Sequence, residues 1–269
     1  MIKSVVSNLF SRLREKNPLV HHITNIVTVN DCANVTLAIG ASPVMANSVE
    51  EVEEMVQLAN ALVINIGTIQ AEIFTAMILA GKVANEKGIP VIFDPVGVGA
   101  TAYRRRLAKE LIQKVKISVI RGNASEMYSL IRENGRTRGV DSTDISLDRK
   151  ILAEKVANLF SCIAVISGET DIVSNGLETV QITNGDHWLT KVTGTGCMTT
   201  SLIASFTGTT ADYFSASIAG MSVMSLAGER AKKSMSEEDG IGHFKAQLMD
   251  EIFHMNEEVW GKEVSIIET

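Results

Sequence analysis

The sequence predicts an α/β fold in which a mostly parallel β-sheet is covered by helices on both faces. From residue 61 onward, short apolar runs alternate with longer segments of helical periodicity, which is the pattern of successive strand–helix units. The short runs are apolar at nearly every position, as in parallel strands that are buried on both faces. Gly88 follows one helical segment at the place of a helix C-cap. We expect right-handed crossovers between these strands.

The first 60 residues are predicted to contain three helices. The first has apolar residues at every fourth position and stops before Pro18. The second ends at Gly40, and a capping-box pattern beginning at Ser48 opens the third. A polar turn separates the first two. The predicted helices are residues 4–16, 31–39 and 48–60, with the turn at 21–25.

The central part of the chain is predicted to alternate four strands with four helices. The predicted strands are residues 61–66, 89–93, 117–120 and 162–167. The predicted helices are residues 71–87, 102–113, 125–133 and 147–160. A segment rich in Gly, Arg, Asp and Thr, residues 135–144, is the best candidate for a mobile loop.

The last third of the chain is predicted to form an antiparallel edge meander followed by helices. Asn175-Gly176 and Asn184-Gly185 separate short β-type runs, as tight turns between antiparallel strands do. The predicted helices are residues 197–206, 213–233 and 244–258. Since no linker or repeat interrupts the pattern, we expect a single domain over residues 1–269.

The composition excludes several functional classes. The 269 residues carry a formal net charge of −6, so no basic surface is available for nucleic acid or an anionic membrane. The three cysteines form no close pair, which argues against disulfides and a zinc cluster and fits a reducing compartment. The N-terminal segment has no pattern of an export signal. These features predict a cytoplasmic protein with small-molecule ligands.

Small and ionisable residues follow each of the four central strands. In open α/β sheets this edge, at the carboxyl ends of the strands, is where ligands bind. The residues are, in strand order, Gly67, Asp94, Arg121 and Gly168. They either form a binding site or serve only to make turns.

The segment Gly194-Thr195-Gly196-Cys197 leads into an uncharged helical run. Glycines before a helix let backbone N–H groups face an anion, and the helix dipole favours negative charge there. The segment has neither the Gly-Lys-Ser/Thr ending of a P-loop nor the glycine pattern of a dinucleotide-binding turn. It therefore predicts an anion hole of another type.

Cys197 lies at this helix start, where a thiolate is favoured and could accept a proton or attack an electrophile. The alternative is a small packing residue. A cysteine hydrolase would also need a histidine partner. The sequence places none of the five histidines beside Cys197; they are His21, His22, His187, His243 and His254.

Asn123 and Glu126 form an N-x-x-E pattern at a strand-to-helix turn. Oxygen ligands at this place suit Mg²⁺, which prefers carboxylates, waters and substrate phosphates. Alternatively, Asn123 caps the helix and Glu126 completes a reciprocal pair. Asp94 either adds a second acidic group or only shapes the turn at Pro95.

Taken together, these motifs resemble those of the hydroxyethylthiazole kinase family, in the family's order and spacing over nearly the whole chain. The motifs are His21-His22-Ile23-Thr24-Asn25, Pro43-Val44-Met45, Asp94-Pro95-Val96-Gly97-Val98-Gly99, Asn123-Ala124-Ser125-Glu126 and Gly194-Thr195-Gly196-Cys197. The resemblance implies a ribokinase-like fold. It also implies transfer of the ATP γ-phosphoryl group, with magnesium, to the primary alcohol of 4-methyl-5-(2-hydroxyethyl)thiazole in thiamine salvage.

The resemblance further implies roles for individual residues. The expected contacts to ATP are Arg121, Ser167 and Gly196. The expected contacts to the thiazole are Met45, Gly194, Asn25 and Gly67. The expected magnesium site consists of Glu126, Asn123 and Asp94. The family is typically a homotrimer with thiazole sites at subunit interfaces. Most ribokinase-like enzymes have an aspartate base where this chain has Cys197. Because phosphoryl transfer depends mainly on positioning and charge neutralisation, we expect Cys197 to contribute modestly.

Other interpretations remain. The chain could have another ribokinase-like activity, such as hydroxymethylpyrimidine kinase or an ADP-linked dehydratase, or be a non-catalytic thiazole- or thiamine-binding sensor. Arg104, Arg105 and Arg106 could reach phosphate, but a solvated helix face is favoured. His21 and His22 are interpreted as capping or packing residues, because adjacent residues of a turn seldom bind one ion.

Overall fold

The structure is a computed structural model and describes residues 2–134 and 148–269. The segment expected to form a mobile loop, residues 135–144, lies outside the described residues. Within the described chain, no helix combines the length and the apolar character needed to cross a membrane.

Helices and strands alternate along most of the described chain. The helices are α1 Ile2–Lys16, α2 Val29–Ile39, α3 Val52–Leu58, α4 Ala71–Lys87, α5 Ala102–Lys114, α6 Ala124–Asn134, α7 Arg149–Phe160, α8 Thr195–Thr207, α9 Tyr213–Ser234, α10 Ile241–His254 and α11 Glu257–Glu263. The strands are β1 Leu19–Ile23, β2 Ser42–Val44, β3 Ala61–Asn65, β4 Val91–Asp94, β5 Val119–Asn123, β6 Ile163–Ser167, β7 Asp171–Ser174, β8 Thr179–Ile182 and β9 Ile266–Glu268. A 3₁₀ helix covers His187–Thr190.

The nine strands of the described chain form one sheet in the order β2-β1-β3-β4-β5-β6-β7-β8-β9. Pairing is parallel from β2 to β6 and antiparallel from β6 to β9. Successive strand residues face opposite sides, so that Leu62 and Val63 belong to different apolar cores. Helices α3 to α7 cover one core, and α1, α2 and α8 to α11 cover the other. The predicted α/β class and the antiparallel edge are confirmed.

The predicted polar turn at 21–25 is wrong, because most of this segment is the buried strand β1. The strand is inserted between β2 and β3. His21 Nε2 donates to Ala46 O at 2.7 Å, and His22 Nε2 lies 3.1 Å from Ser201 Oγ. Burial lowers the pKa of both imidazoles, that of His22 to about 3, so both are neutral at pH 7. The interpretation of this pair as packing residues is confirmed.

Two short strands were not predicted. Strand β2 contains Pro43, which is tolerated because β2 is the outermost strand and pairs only with β1. Strand β9 comes from the C-terminal segment and pairs with β8, which extends the meander. Runs of three residues have too little periodicity to be recognised in the sequence.

Two predicted helix limits are also wrong. The third helix begins at Val52 rather than Ser48, because Ser48 Oγ accepts from Glu50 N in a turn that precedes the helix. The predicted helix 244–258 is divided at Met255. Asn256 Oδ1 accepts from the N–H groups of Glu258 and Val259 and so caps a new helix, α11.

Candidate active site

A cavity of about 390 Å³ lies at the carboxyl ends of the parallel strands and contains nearly all the predicted site residues. Those that line it are Asn25, Gly67, Asp94, Arg121, Asn123, Glu126, Ser167, Gly194, Gly196 and Cys197. Met45 does not line it, because Met45 follows β2 at the edge of the sheet, beyond β1 and β3. A larger cavity of about 680 Å³, bounded by Ile117 and Cys162, contains none of the predicted residues.

Asn65, the last residue of β3, connects several groups of the site and was not predicted. Its Nδ2 donates to Asp94 Oδ2 at 3.0 Å and to Cys197 Sγ at 3.3 Å. Its Oδ1 accepts from Asn25 Nδ2 at 3.0 Å and from Gly67 N at 2.8 Å. The available sequence signal was a single polar residue in an otherwise apolar strand. Asn65 therefore holds groups from four segments in one arrangement.

Asp94 is fully buried at the end of β4. Its Oδ2 accepts from Asn65 Nδ2 and, at 2.8 Å, from Thr200 Oγ1, and it lies 4.0 Å from Arg121 Nη1. Its Oδ1 has no hydrogen-bond partner among the described residues. Burial raises the pKa of Asp94 to about 6. The positive charge of Arg121 opposes this rise, and the negative charge of Glu126 adds to it. This carboxyl group is thus placed where a cation would stabilise its charged form.

Asn123 and Glu126 form a reciprocal pair at the start of α6. Glu126 N donates to Asn123 Oδ1 at 2.9 Å, and Asn123 N donates to Glu126 Oε2 at 2.8 Å. Glu126 Oε1 also accepts from Gly97 N at 2.8 Å. The capping interpretation is confirmed. The carboxylate nevertheless lines the cavity and is fixed in orientation by two backbone N–H groups.

The side chains of Arg121, in the middle of β5, and Ser167, the last residue of β6, contact each other. Arg121 Nη2 donates to Ser167 Oγ at 2.8 Å, and the arginine side chain is only 10% exposed. Its buried Nε has no partner among the described residues. A Cβ added at Gly196 would lie 2.5 Å from Arg121 Nη1, so the glycine leaves room for the guanidinium beside α8.

The glycine segment forms the start of α8, two residues earlier than predicted. Gly194 is the N-cap residue and has φ of +91°, a conformation that favours glycine. A Cβ at this position would also lie 2.8 Å from Thr28 Cγ2. The first turn of α8, which has unpaired N–H groups and the positive end of the helix dipole, lies at the cavity.

The expectation that the helix start favours a thiolate at Cys197 is wrong. Burial and the nearby Asp94 raise the pKa of the thiol, and hydrogen bonds from neighbouring side chains only partly oppose this. Sγ accepts from Nδ2 of Asn25 and of Asn65, each at 3.3 Å. Cys197 is therefore a neutral thiol at pH 7. None of the described residues that line the cavity is a histidine, so a cysteine hydrolase has no support.

The predicted solvated position of Arg104 is also wrong. Its guanidinium donates to three backbone carbonyls, those of Ile66, Gly67 and Val96, because the first turn of α5 packs against the loops that follow β3 and β4. Arg106, two residues later, is exposed, and its guanidinium lies 5.4 Å from the centre of the Tyr103 ring. The solvated interpretation is confirmed for Arg106.

The doubly covered, mostly parallel sheet with a polar cavity beside a helix N-terminus has the ribokinase-like fold. One solved structure that shares the fold is the pyridoxal kinase from Staphylococcus aureus in complex with AMP-PCP. It has a TM-score of 0.63 at 13% identity and covers 93% of this chain and 98% of that chain.

The chain belongs to the hydroxyethylthiazole kinase family, whose sequence profile matches residues 10–258. It is 50% identical over 258 residues to the hydroxyethylthiazole kinase of Thermoanaerobacter pseudethanolicus, covering 96% of this chain and 97% of that protein. It is 46% identical over 266 residues to that of Ruminiclostridium cellulolyticum, with 98% and 97% covered. The structure of the Pyrococcus horikoshii hydroxyethylthiazole kinase superposes with a TM-score of 0.91 at 36% identity, covering 99% of both chains.

Proposed function

We propose that this chain transfers the γ-phosphoryl group of ATP to the hydroxyl of 4-methyl-5-(2-hydroxyethyl)thiazole and supplies thiazole phosphate for thiamine diphosphate synthesis. The observation that carries the proposal is that one cavity contains every predicted site residue except Met45. Family membership over almost the whole chain supports the choice of acceptor.

The phosphates of ATP would bind between α8 and the ends of β5 and β6. The buried Arg121 Nε, which lacks a partner in the described chain, supports an anionic ligand at this place. Ser167 holds the same guanidinium through Nη2, and Gly196 keeps the helix start open beside it. The N–H groups of the first turn of α8 would add hydrogen bonds to the transferring phosphoryl group.

Magnesium would be held by Asp94, Glu126 and Asn123 together with waters and ATP phosphates. The unpartnered Asp94 Oδ1 fits a hard cation. Because the described residues contain no cluster of three or more His, Cys, Asp or Glu side chains that could bind a metal, waters and ATP phosphates would have to supply the remaining ligands. When bound, Mg²⁺ neutralises phosphate charge. The protein's own contribution is to fix both carboxylates through backbone and amide donors.

The acceptor would lie beside Asn25, Gly67, Gly194 and Cys197, on the opposite side of Asp94 from the nucleotide. The neutral Cys197 thiol would orient the acceptor hydroxyl rather than remove its proton. Met45 lies outside the cavity of its own chain, and we propose a homotrimer in which it reaches the thiazole of a neighbouring subunit. The three unpaired cysteines suit a cytoplasmic location.

The proposal is tested by incubating the protein with ATP, Mg²⁺ and the thiazole alcohol and detecting the phosphate ester by mass spectrometry. Hydroxymethylpyrimidine and hydrated NADH serve as competing substrates. Formation of the thiazole ester, dependent on Mg²⁺, is the expected result. Turnover of a competing substrate alone would overturn the acceptor, and tight thiazole binding without ATP consumption would indicate a sensor.

A further inference from the structure

The guanidinium of Arg104 bridges two loops of the active site. Its Nη1 donates to Ile66 O at 2.6 Å and to Val96 O at 2.8 Å, and its Nη2 donates to Gly67 O at 2.7 Å. One loop follows β3 and belongs to the proposed acceptor side. The other follows β4 and belongs to the proposed metal side.

Two of these three carbonyls belong to peptide groups whose N–H donates to a side chain of the site. The peptide between Ile66 and Gly67 gives its carbonyl to Arg104 and its N–H to Asn65 Oδ1, at 2.8 Å. In a trans peptide these two groups point in opposite directions, and the described residues contain no cis peptide. Arg104 therefore fixes the peptide plane from which Asn65 receives its hydrogen bond.

The same arrangement occurs in the second loop. The peptide between Val96 and Gly97 gives its carbonyl to Arg104 and its N–H to Glu126 Oε1, at 2.8 Å. Gly97 has a positive φ of 66°, so this turn depends on an unusual backbone conformation being held in place. One guanidinium thus supports both the donor to Glu126 and the donor to Asn65.

We infer that Arg104 is a positioning residue that sets, through these two peptide groups, the orientation of Glu126 and of the Asn65 amide. Asn65 in turn holds Asp94 and Cys197. Arg104 couples the acceptor side of the cavity to its metal side and is not itself among the residues that line the cavity. The inference rests on the proposed function. The planar guanidinium holds two nitrogen donors in a rigid fork, and Nη1 and Nη2 together reach three carbonyls in two loops, whereas an ammonium offers a single nitrogen on a flexible stem.

The test compares Arg104→Ala and Arg104→Lys with Arg106→Ala, a matched control on the exposed face of the same helix. We expect Arg104→Ala to lower kcat/KM on the order of 10²-fold, as small displacements in an active site do. The Mg²⁺ concentration for half-maximal activity should rise in the same variant. Arg104→Lys should recover only part of the loss, and Arg106→Ala should stay within about twofold of the parent, as a surface substitution should.

Amide hydrogen exchange gives a readout that does not depend on substrate identity. In Arg104→Ala, exchange should accelerate in peptides containing Gly67 and Gly97 and remain unchanged in the centre of the sheet. Arg104→Lys provides the same comparison if the alanine variant does not fold. If the parent does not phosphorylate the thiazole, the proposed function fails and the exchange data alone decide the positioning role.

Three outcomes would overturn the inference. One is a folded Arg104→Ala protein with kcat/KM and Mg²⁺ dependence within about twofold of the parent. Another is exchange at Gly67 and Gly97 that is no faster than in Arg106→Ala. The third is a lower melting temperature with unchanged turnover per folded molecule, which would show that the guanidinium only stabilises the fold.

Discussion

Replacing Cys197 by alanine tests whether the thiol acts as a base in the proposed reaction. An unperturbed cysteine is only a few per cent thiolate at pH 7, and the raised pKa of Cys197 leaves less. A neutral hydrogen bond that orients the acceptor is worth about 0.5–1.5 kcal/mol, which corresponds to roughly two- to tenfold in rate. We expect kcat to fall by this amount, whereas loss of a general base costs roughly 10²–10⁴-fold.

The two amides that contact the sulfur keep other partners in this variant. Asn65 Nδ2 still donates to Asp94, and Asn25 Nδ2 still donates to Asn65 Oδ1. The free energy of unfolding should therefore fall by only about 1 kcal/mol, or roughly 2–4 °C in melting temperature. Initial rates of ester formation between pH 6 and 9, with thiazole affinity from calorimetry, measure the effect. Cys162→Ala is the control, because Cys162 is buried away from the cavity.

A fall of more than about 10²-fold with unchanged thiazole affinity would refute this reasoning, since loss of a general base gives a reduction of that size. A rise of kcat with pH in the parent that disappears in Cys197→Ala would refute it as well. Cys197→Asp is expected to remain active, because the amides of Asn25 and Asn65 that donate to sulfur can donate to a carboxylate.

Three further substitutions test Glu126, Asp94 and, through the neighbouring Gly196, Arg121. Glu126→Gln should lower kcat on the order of 10²–10³-fold at saturating Mg²⁺; a few-fold change would contradict its role. Asp94→Asn should abolish most turnover yet raise the melting temperature at pH 7. The pKa of the Asp94 carboxyl group is about 6 in the folded protein and 3.8 in its ordinary, unfolded environment. The unfolded state therefore releases this proton first, and the free energy of unfolding of the parent falls as the pH rises between these two values. The free energy of unfolding of Asp94→Asn should exceed that of the parent by at most about 3 kcal/mol at pH 7, and this difference should vanish near pH 4. Gly196→Ala should raise the KM for ATP more than that for the thiazole, because its Cβ would displace Arg121.

Controls separate these effects from general loss of folding. Asp171 is also buried, with a pKa raised to about 6 mainly by burial, but it does not line the cavity. Melting curves of Asp94→Asn from pH 4 to 8 should therefore still show the contribution of Asp171. An Asp94→Asn protein that is less stable than the parent at pH 7 would contradict the assigned cost of burying that carboxyl group.

The sequence predicted the central strands and most helices because apolar runs and periodic helices are local signals. Helix α4, Ala71–Lys87, has the predicted limits, and its end at Gly88 follows from a positive φ of 70°. Strand β1 was missed because His21 and His22 look polar, whereas tertiary contacts with Ala46 and Ser201 provide hydrogen-bond partners for the Nε2 atoms of the two buried rings. Such partners lie far along the chain, so no local pattern could reveal them.

The site was predicted as a set of residues, but not as a network. The motifs gave the residues that meet at the cavity, because parallel strands bring their carboxyl ends to one edge. The protonation of Cys197 and the contacts of Arg104 depend on burial and on carbonyls in other loops. A helix dipole alone favours a thiolate, yet desolvation and the charge of Asp94 outweigh it here.

The neutral thiol also makes sense when the charges of the site are considered together. Asp94 is buried at a cost, since its pKa rises to about 6, and Glu126 adds to the negative potential. ATP would bring further negative charge to the same cavity. A thiolate at Cys197 would lie close to the Asp94 carboxyl group, which raises the pKa of the thiol, whereas a neutral thiol between two amide donors adds no charge to the site. In the proposed reaction, Arg121, the start of α8 and a magnesium ion would therefore balance the phosphate charge, and the cysteine would act as an uncharged contact for the acceptor.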